Sequence, residues 1–348
     1  MKLSLSFYLI TFGLSQIFYG PLSDAFGRRI NLIIGLTIFF LGSLLSSFAT
    51  TIHLFLAARL IQGIGIGTSS AVGFAFIRDI FEGQELIKHL SYLRVFVGMT
   101  PIIAPLFGGY LTEYLGWRSC FISLSLLSLF LIIGKTLFLP ETNIHLNKKA
   151  CHPKHILKNF QFLLKSPLFL GFILVTAIAF SSLMTINTLL PLLITKSLHL
   201  SPSIYGWLSI CSGGGYFIGA YVSSKLGQKF SKLKIILAAC FIQLTFILIA
   251  LVLSLFFFTV SALIMPLTAT LFGIGLIVPI SSSGALEPFP KMAGSEAALL
   301  GASMFSISSL FTALASLLSE KTQIPLFLFL LGLTLISFPP LFLLKKEA

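Results

Sequence analysis

Tyr19-Gly20-Pro21-Leu22-Ser23-Asp24-Ala25-Phe26-Gly27-Arg28-Arg29 separates two long apolar runs. Its glycines permit backbone bends, while Asp24, Arg28 and Arg29 need water or a partner. Roughly 20 apolar residues at helical rise cross about 30 Å of hydrocarbon, so a charged turn between two such runs marks a bilayer surface. The whole chain repeats this pattern. Of its 348 residues 56% are hydrophobic and 9% charged, whereas a water-soluble domain carries about a quarter charged residues. Backbone amides in hydrocarbon need internal partners, so the spans are helices. The fold class is all-α, a polytopic membrane protein.

Working outward from that turn, apolar runs bounded by turn or charge signals give about eleven spans, approximately 3–22, 30–50, 53–77, 89–112, 117–139, 168–195, 203–224, 234–257, 259–283, 296–318 and 324–344. Lys2 and the run behind it superficially resemble a secretory signal, but no small-residue cleavage site follows, and the run reads as a retained span. The loops after the odd-numbered spans, with the tail, hold most of the cations, among them Arg28, Arg29, Arg78, Lys88, Lys148, Lys149, Lys225, Lys229 and Lys291. The other side has Lys2, Arg118, Lys196 and Lys321. That asymmetry places the C-terminus in the cytoplasm and the N-terminus outside. An outside N-terminus without a signal leads us to expect a further span upstream.

The net charge of +13 sits in short loops and forms no soluble basic face, so nucleic acid is excluded as a partner. Cys120, Cys151, Cys211 and Cys240 show no CxxC spacing and read as packing residues. The longest polar stretch, 140–166, divides the chain into a bundle over 1–139, a cytoplasmic linker, and a bundle over 167–348. The linker's His145, His152 and His155 lack carboxylate or cysteine partners and read as part of a solvated basic loop, with no metal. A degenerate echo between GPLSDAFGRR at 20–29 and AYVSSKLGQK at 220–229 fits two parallel repeats.

Inside the spans, polar groups are few and therefore informative. Arg59 would cost roughly 2.5–3.5 kcal/mol at the centre of a span unless satisfied; snorkelling to the outer interface is the alternative. Gln62, three residues on, lies on a neighbouring face and can share its surroundings. Gln16, Asn187 and Tyr216 are the other candidates for a central cavity, with interhelical hydrogen bonding as the competing role. Gly98, Pro101, Pro105, Gly108 and Gly109 put kinks and close contacts into one span. Gly63-x-x-x-Gly67 and Gly215-x-x-x-Gly219 are helix-contact signatures. None of the ten acids lies deep in a span by sequence position, which leaves Arg59 as the one shielded ionisable group.

Several of these stretches together resemble the major facilitator superfamily. The turn from Gly20 to Arg29 is similar to the loop after that family's second helix, with Ala25 in place of its usual basic residue. In the family the aspartate holds the two bundles together near the eleventh helix, which implies for Asp24 a partner around Gly294, Ser295 and Glu296. Arg78 and Asp79 resemble charges that pair with the same turn, a solvated pair being the alternative. Arg59 to Gly63 resembles the fourth-helix motif of proton-coupled members, and Gly98 to Gly109 the fifth-helix motif of antiporters, departing at Ala104. A packing kink without bearing on transport direction is the other reading of that helix. Phe289-Pro290 and Ala293-Gly294 resemble the Bcr/CflA drug-resistance branch.

The resemblance implies a fold of two six-helix bundles, here with about eleven helices and the family's first one missing. It implies proton-coupled efflux of drugs or small amphiphilic compounds by alternating access, in a bacterial cytoplasmic membrane, as a monomer. The partners would be a small-molecule substrate, protons and lipid. No cofactor is implied beyond the proton gradient. Alternatives are a nutrient importer of the same fold and a truncated, non-transporting remnant. No HExxH, GxSxG or P-loop pattern points to an enzyme.

Overall fold

The computed structural model describes residues 2–81, 83–143, 146, 153–289 and 292–347, without some side chains inside helices, among them Arg78, Arg94, Lys154, His155 and Ala293. His145, Cys151, His152, Pro290 and Lys291 lie outside the described residues. The described chain is helical, and among these residues there is no strand. The helices are α1 (Ser4–Phe26), α2 (Arg28–Phe48), α3 (Ile52–Ile80), α4 (Gly83–Leu115), α5 (Arg118–Phe138), α6 (Pro153–Leu164), α7 (Pro167–Leu192), α8 (Pro202–Leu226), α9 (Lys232–Phe256), α10 (Val260–Leu286), α11 (Ala293–Ala315), α12 (Ile324–Ile336) and α13 (Phe338–Leu341).

Each apolar run has become a helical rod, with α12, α13 and the turns after them forming one rod from Ile324 to Leu344. Nine rods are long and apolar enough to cross a membrane on their own among the described residues. The remaining two long helices, α4 and α8, are rich in glycine, proline and serine; α4 lies chiefly against α8, and α8 against α10 as well as α4. Small residues allow backbones to approach closely, and α4 and α8 meet through their glycines and prolines.

Local chemistry explains where rods stop. Thr51, Ser166, Ser201 and Thr259 accept a backbone N–H at the starts of α3, α7, α8 and α10, satisfying one of the donors a helix start leaves free. The first charged turn departs from its sequence reading. Helix α1 runs through Gly20 and Pro21 to Phe26, and the chain breaks at Gly27, whose φ is 99°. Only a residue without a Cβ adopts that conformation cheaply, whereas Pro21 loses a single N–H bond and bends the helix without ending it.

Helices α1, α2, α3 and α5 pack as a first bundle, to which α4 is attached at its edge through α3 and α5, and α7 to α12 pack as a second. Small residues set the contacts: Gly35 and Gly65 seat α2 on α3, Gly63 and Gly67 seat α3 on α1, and Gly215 and Gly219 bring α8 against the carbonyls of Thr268 and Phe272 on α10. In the second bundle α7 and α10 are central, with 78% and 72% of their apolar windows buried, whereas α5, at 11%, turns its leucines outward. The stretch read as a polar linker contains α6, whose Leu163 is fully buried in the second bundle's core. Interleaved lysines conceal an apolar face of Ile156, Phe160 and Leu163 at helical spacing.

Two seams join the bundles. Helix α1 runs antiparallel to α11, with Gly13 against Ala302 and Ser306, Gln16 against Gly301, and Ser309 Oγ donating to the Ser6 carbonyl at 2.8 Å. Helix α4 runs antiparallel to α8, with Gly98 against Phe217, Gly213 against Pro101, Gly206 against Pro105 and Gly109 against Pro202.

Candidate functional site

On the face rich in cations, the turn at Gly27 is held by three carboxylates. Arg28 reaches Asp24 at 2.6 Å and Asp79 at 3.1 Å. Asp24 thus pairs within its own turn, and the antiparallel register of α1 on α11 carries that turn toward the start of α11. Arg78's side chain lies outside the description. Glu141, just past α5, accepts from the backbone N–H groups of Arg28 at 2.8 Å and Arg29 at 3.1 Å. It therefore acts as the missing cap of α2, whose own N-cap is a glycine without a side chain. A Cβ on Gly27 would run into that carboxylate. Burial would raise the Glu141 carboxyl, but the N–H groups of Asn143, Arg28, Arg29 and Thr142 outweigh it and hold it below its ordinary value.

Arg59 is satisfied inside the first bundle. Its guanidinium lies 4.5 Å from the Tyr8 ring centroid and 5.7 Å from that of Phe121, within range of cation–π attraction. It donates to Gln62 Oε1, and Gln62 Nε2 donates to Ser43 Oγ at 2.8 Å. The arginine's Nε keeps no partner. This chain of polar groups ties α3 to α1, α2 and α5, so Arg59 is caged between helices and does not snorkel along the surface.

The other cavity candidates do not converge on Arg59. Asn187 and Tyr216 share a pocket with Pro101, Pro105, Tyr205 and Ser209, at the α4–α8 seam where α7 and α10 come close. Its volume is about 10 Å³, room for roughly one water and far below the roughly 300–1,000 Å³ of a drug-sized site. Gln16 lies in the α1–α11 seam, where its Oε1 fills the place of a Cβ on Gly301 and its Nε2 has no partner. Of the fifth-span motif, Gly98, Pro101, Pro105 and Gly109 face α8, while no side chain approaches Gly108 within contact distance of a Cβ.

At the face poor in cations, each seam ends in a polar clasp. Lys2 of the first bundle meets Glu320 at 2.7 Å and donates to the Leu318 carbonyl at 2.9 Å; Lys196 meets the same carboxylate at 3.3 Å. Pro191 lies in the last turn of α7, after which the chain widens into a π turn over Leu193–Ser197 with Leu198 N–H bonded to the Leu193 carbonyl at 3.0 Å. That turn aims Lys196 and Ser197 at residue 320. On the second seam, Glu113 of α4 accepts from the Ser203 N–H at 2.9 Å in the first turn of α8.

The chain, folded as two helical bundles meeting along two antiparallel seams, matches the profile of the Major Facilitator Superfamily over residues 1–313. The chain belongs to that superfamily. This facilitator is 28% identical over 332 residues to "Multidrug resistance protein D" of Escherichia coli, covering 94% of this chain and 83% of that protein. It is 25% identical over 331 residues to "Bicyclomycin resistance protein homolog" of Haemophilus influenzae, covering 93% and 81%, and 28% identical over 331 residues to "Chloramphenicol resistance protein CraA" of Acinetobacter baumannii, covering 94% and 79%. Family and relatives make it a multi-pass membrane transporter and not an enzyme.

Three carboxylates of this facilitator escape a reading of the sequence alone. Glu141 and Glu320 look like ordinary loop acids, and the only local signal is their position at the ends of spans. Glu296 corrects the expectation that Arg59 is the one shielded ionisable group. It stands at a span end, yet it is fully buried and both of its carboxylate oxygens lack a hydrogen-bond partner. Phe289 packs its ring against Phe162 and Phe169 at 5.9 and 6.2 Å between centroids. Gly294 meets nothing within contact distance of a Cβ.

Proposed function

We propose that this facilitator is a proton-coupled exporter of drugs or other small amphiphilic compounds, working by alternating access in a bacterial cytoplasmic membrane with its C-terminus in the cytoplasm. The observation that carries the reading is the pair of seams, each fastened by a polar clasp at the same face. With that face closed, the pocket holding Asn187 and Tyr216 admits about one water. Accommodating a larger guest there takes a shift of the surrounding helices, which is what rocking two bundles about a midplane site provides. The drug-resistance names of the relatives support amphiphilic substrates, and an apolar pocket edged by a few polar groups tolerates many such guests.

The distribution of lysine and arginine supports an orientation with the Lys2–Glu320 face outside. Arg59, caged beside Gln62 and Ser43, is the polar centre of the first bundle and the candidate for coupling. The test is ethidium flux in inverted membrane vesicles energised by an imposed proton gradient. Gradient-driven accumulation in inverted vesicles supports export. Uptake into right-side-out cells would instead support an importer, and no flux in either orientation a non-transporting chain.

A further inference from the structure

Glu296 sits in the first turn of α11 with its side chain covered on all sides, at 0% exposure. It lies on the helical face shared with Leu299 and Leu300, which belong to the second bundle's apolar core. Neither Oε1 nor Oε2 has a hydrogen-bond donor. The elements packed on α11 are α1, α6, α7 and α10. From α1 the nearest acid along the seam is Asp24, already paired with Arg28. On α6 and just past it, Lys158 and Lys165 are exposed; α7 has no charged residue from Pro167 to Leu192. Beyond α10, Glu287 pairs with Lys232. None of these groups forms an ion pair with Glu296, and the side chains of Lys154, His155 and Lys291 lie outside the description.

A carboxylate removed from water with neither donor nor cation is among the costliest arrangements a protein can hold, and such a group neutralises itself by taking a proton. A helix start favours negative charge by only about 0.3–1 kcal/mol at an exposed site, small beside several kcal/mol for burying an ion. When the first turn of α11 meets water, the balance reverses: the carboxylic O–H bond breaks, the proton passes to water, and the carboxylate remains beside free helix N–H groups. The position is suited to that exchange, because α11 forms one side of the α1–α11 seam.

We infer that Glu296 is a proton-binding site of the transport cycle, loaded while covered as it is here and discharged to the cytoplasm when the start of α11 opens. The inference rests on the proposed export function and deepens it by naming a carrier of the proton. It also supplies a shielded acid within the described chain.

Two measurements on the full chain in liposomes test it. Infrared difference spectra between acidic and alkaline buffer should show a protonated carboxylic C=O band in the wild type that is absent in Glu296→Gln and shifted in Glu296→Asp. Glu296→Gln should lose ethidium accumulation driven by a pH gradient, down to the level of protein-free liposomes. It should retain ethidium–ethidium exchange, which requires no net proton movement and shows that the variant is folded. Gradient-driven accumulation equal to wild type in Glu296→Gln, or an unaltered C=O band, overturns the inference. A wild type that moves no ethidium overturns the export reading instead, and the infrared band then still decides whether Glu296 holds a proton.

Discussion

Removing the charge of Glu320 should loosen the Lys2–Glu320 end of the α1–α11 seam by a measurable factor. Its carboxylate is 15% exposed and holds Lys2, 27% exposed, at 2.7 Å. Lys196, 64% exposed at 3.3 Å, sits in the same bundle as Glu320 and stays with it when the bundles part. Only the Lys2 pair therefore counts toward opening. Exposed pairs contribute about 0.2–1 kcal/mol, and hydrogen bonds to charged groups about 1.5–3 kcal/mol. For this half-covered pair, about 1–2 kcal/mol follows, a factor of roughly 5–30 in the closed-to-open ratio.

The readout is the rate at which a membrane-impermeant maleimide, added from the Glu320 side, labels Asn187→Cys in a chain whose native cysteines are replaced. Glu320→Gln and Lys2→Gln should each raise that rate by about the same factor. The double variant should exceed neither, since the two residues share one interaction. An unchanged rate, or effects that simply add, would show that the Lys2–Glu320 pair does not hold the seam closed. Acidity should act through the same carboxylate. Burial would raise the Glu320 carboxyl, but the ammoniums of Lys2 and Lys196 outweigh it and hold it below its ordinary 4.5. A depressed value means the clasp is intact above the ordinary value and is lost as pH falls through the depressed one, so with the clasp residues intact the labelling of Asn187→Cys, taken relative to a fully exposed cysteine at the same pH because the thiolate is the reacting form, should rise only at pH below 4.5.

Arg59→Ala should abolish ethidium export at normal membrane levels of the protein. Arg59→Lys should not restore it, because an ammonium cannot both stack on Tyr8 and reach Gln62 as the planar guanidinium does; export at the wild-type rate in either variant would remove Arg59 from the mechanism. Gly219→Leu drives a side chain into the Phe272 carbonyl and should destabilise the second bundle by about 1–3 kcal/mol or more, read as a lower melting temperature in detergent, while Gly294→Leu, with open space around it, should leave melting unchanged. Glu141→Ala removes the cap of α2 and should cost about 0.5–2 kcal/mol, with Glu141→Gln costing less because an amide oxygen still accepts. Since the Glu141 carboxyl is depressed, that stabilisation is present above the ordinary carboxylate value and disappears as pH falls through the lowered one, so wild type and Glu141→Ala should converge in acid.

Much of this protein was legible in the order of its residues, because the properties concerned are local. A run of apolar residues long enough to cross hydrocarbon must be helical wherever it lies, and each of the eleven runs forms a rod. The pairing of Arg59 with Gln62 was equally accessible, since three residues on a helix are neighbours whatever surrounds them. Helix α6 was missed because its lysines, spread around an apolar face of Ile156, Phe160 and Leu163, read as a solvated loop until a second bundle is there to cover them. The turn was placed too early because Gly20 and Pro21 carry the stronger local signal, while Gly27 takes the positive φ under the cap of Glu141, far along the chain.

The candidate site depended more on packing. Lys2 bonds to the carbonyl of Leu318, 316 positions away, and no local pattern announces such a partnership; the register of α1 on α11 makes it. Asn187 and Tyr216 line one pocket because α7 and α8 both pack on α10, while Gln16 is drawn into another seam and buried there. Glu296 is the sharpest case. By position it is one more acid at the end of a span, and it is shielded only because folding covers it with the core around Leu299 and Leu300. Composition and periodicity thus determined that this chain is a bundle of membrane helices with a basic side. Which of its charges meet, and which is left buried and alone, was decided by tertiary contact, since desolvation depends on everything that surrounds a group and not on its neighbours in sequence.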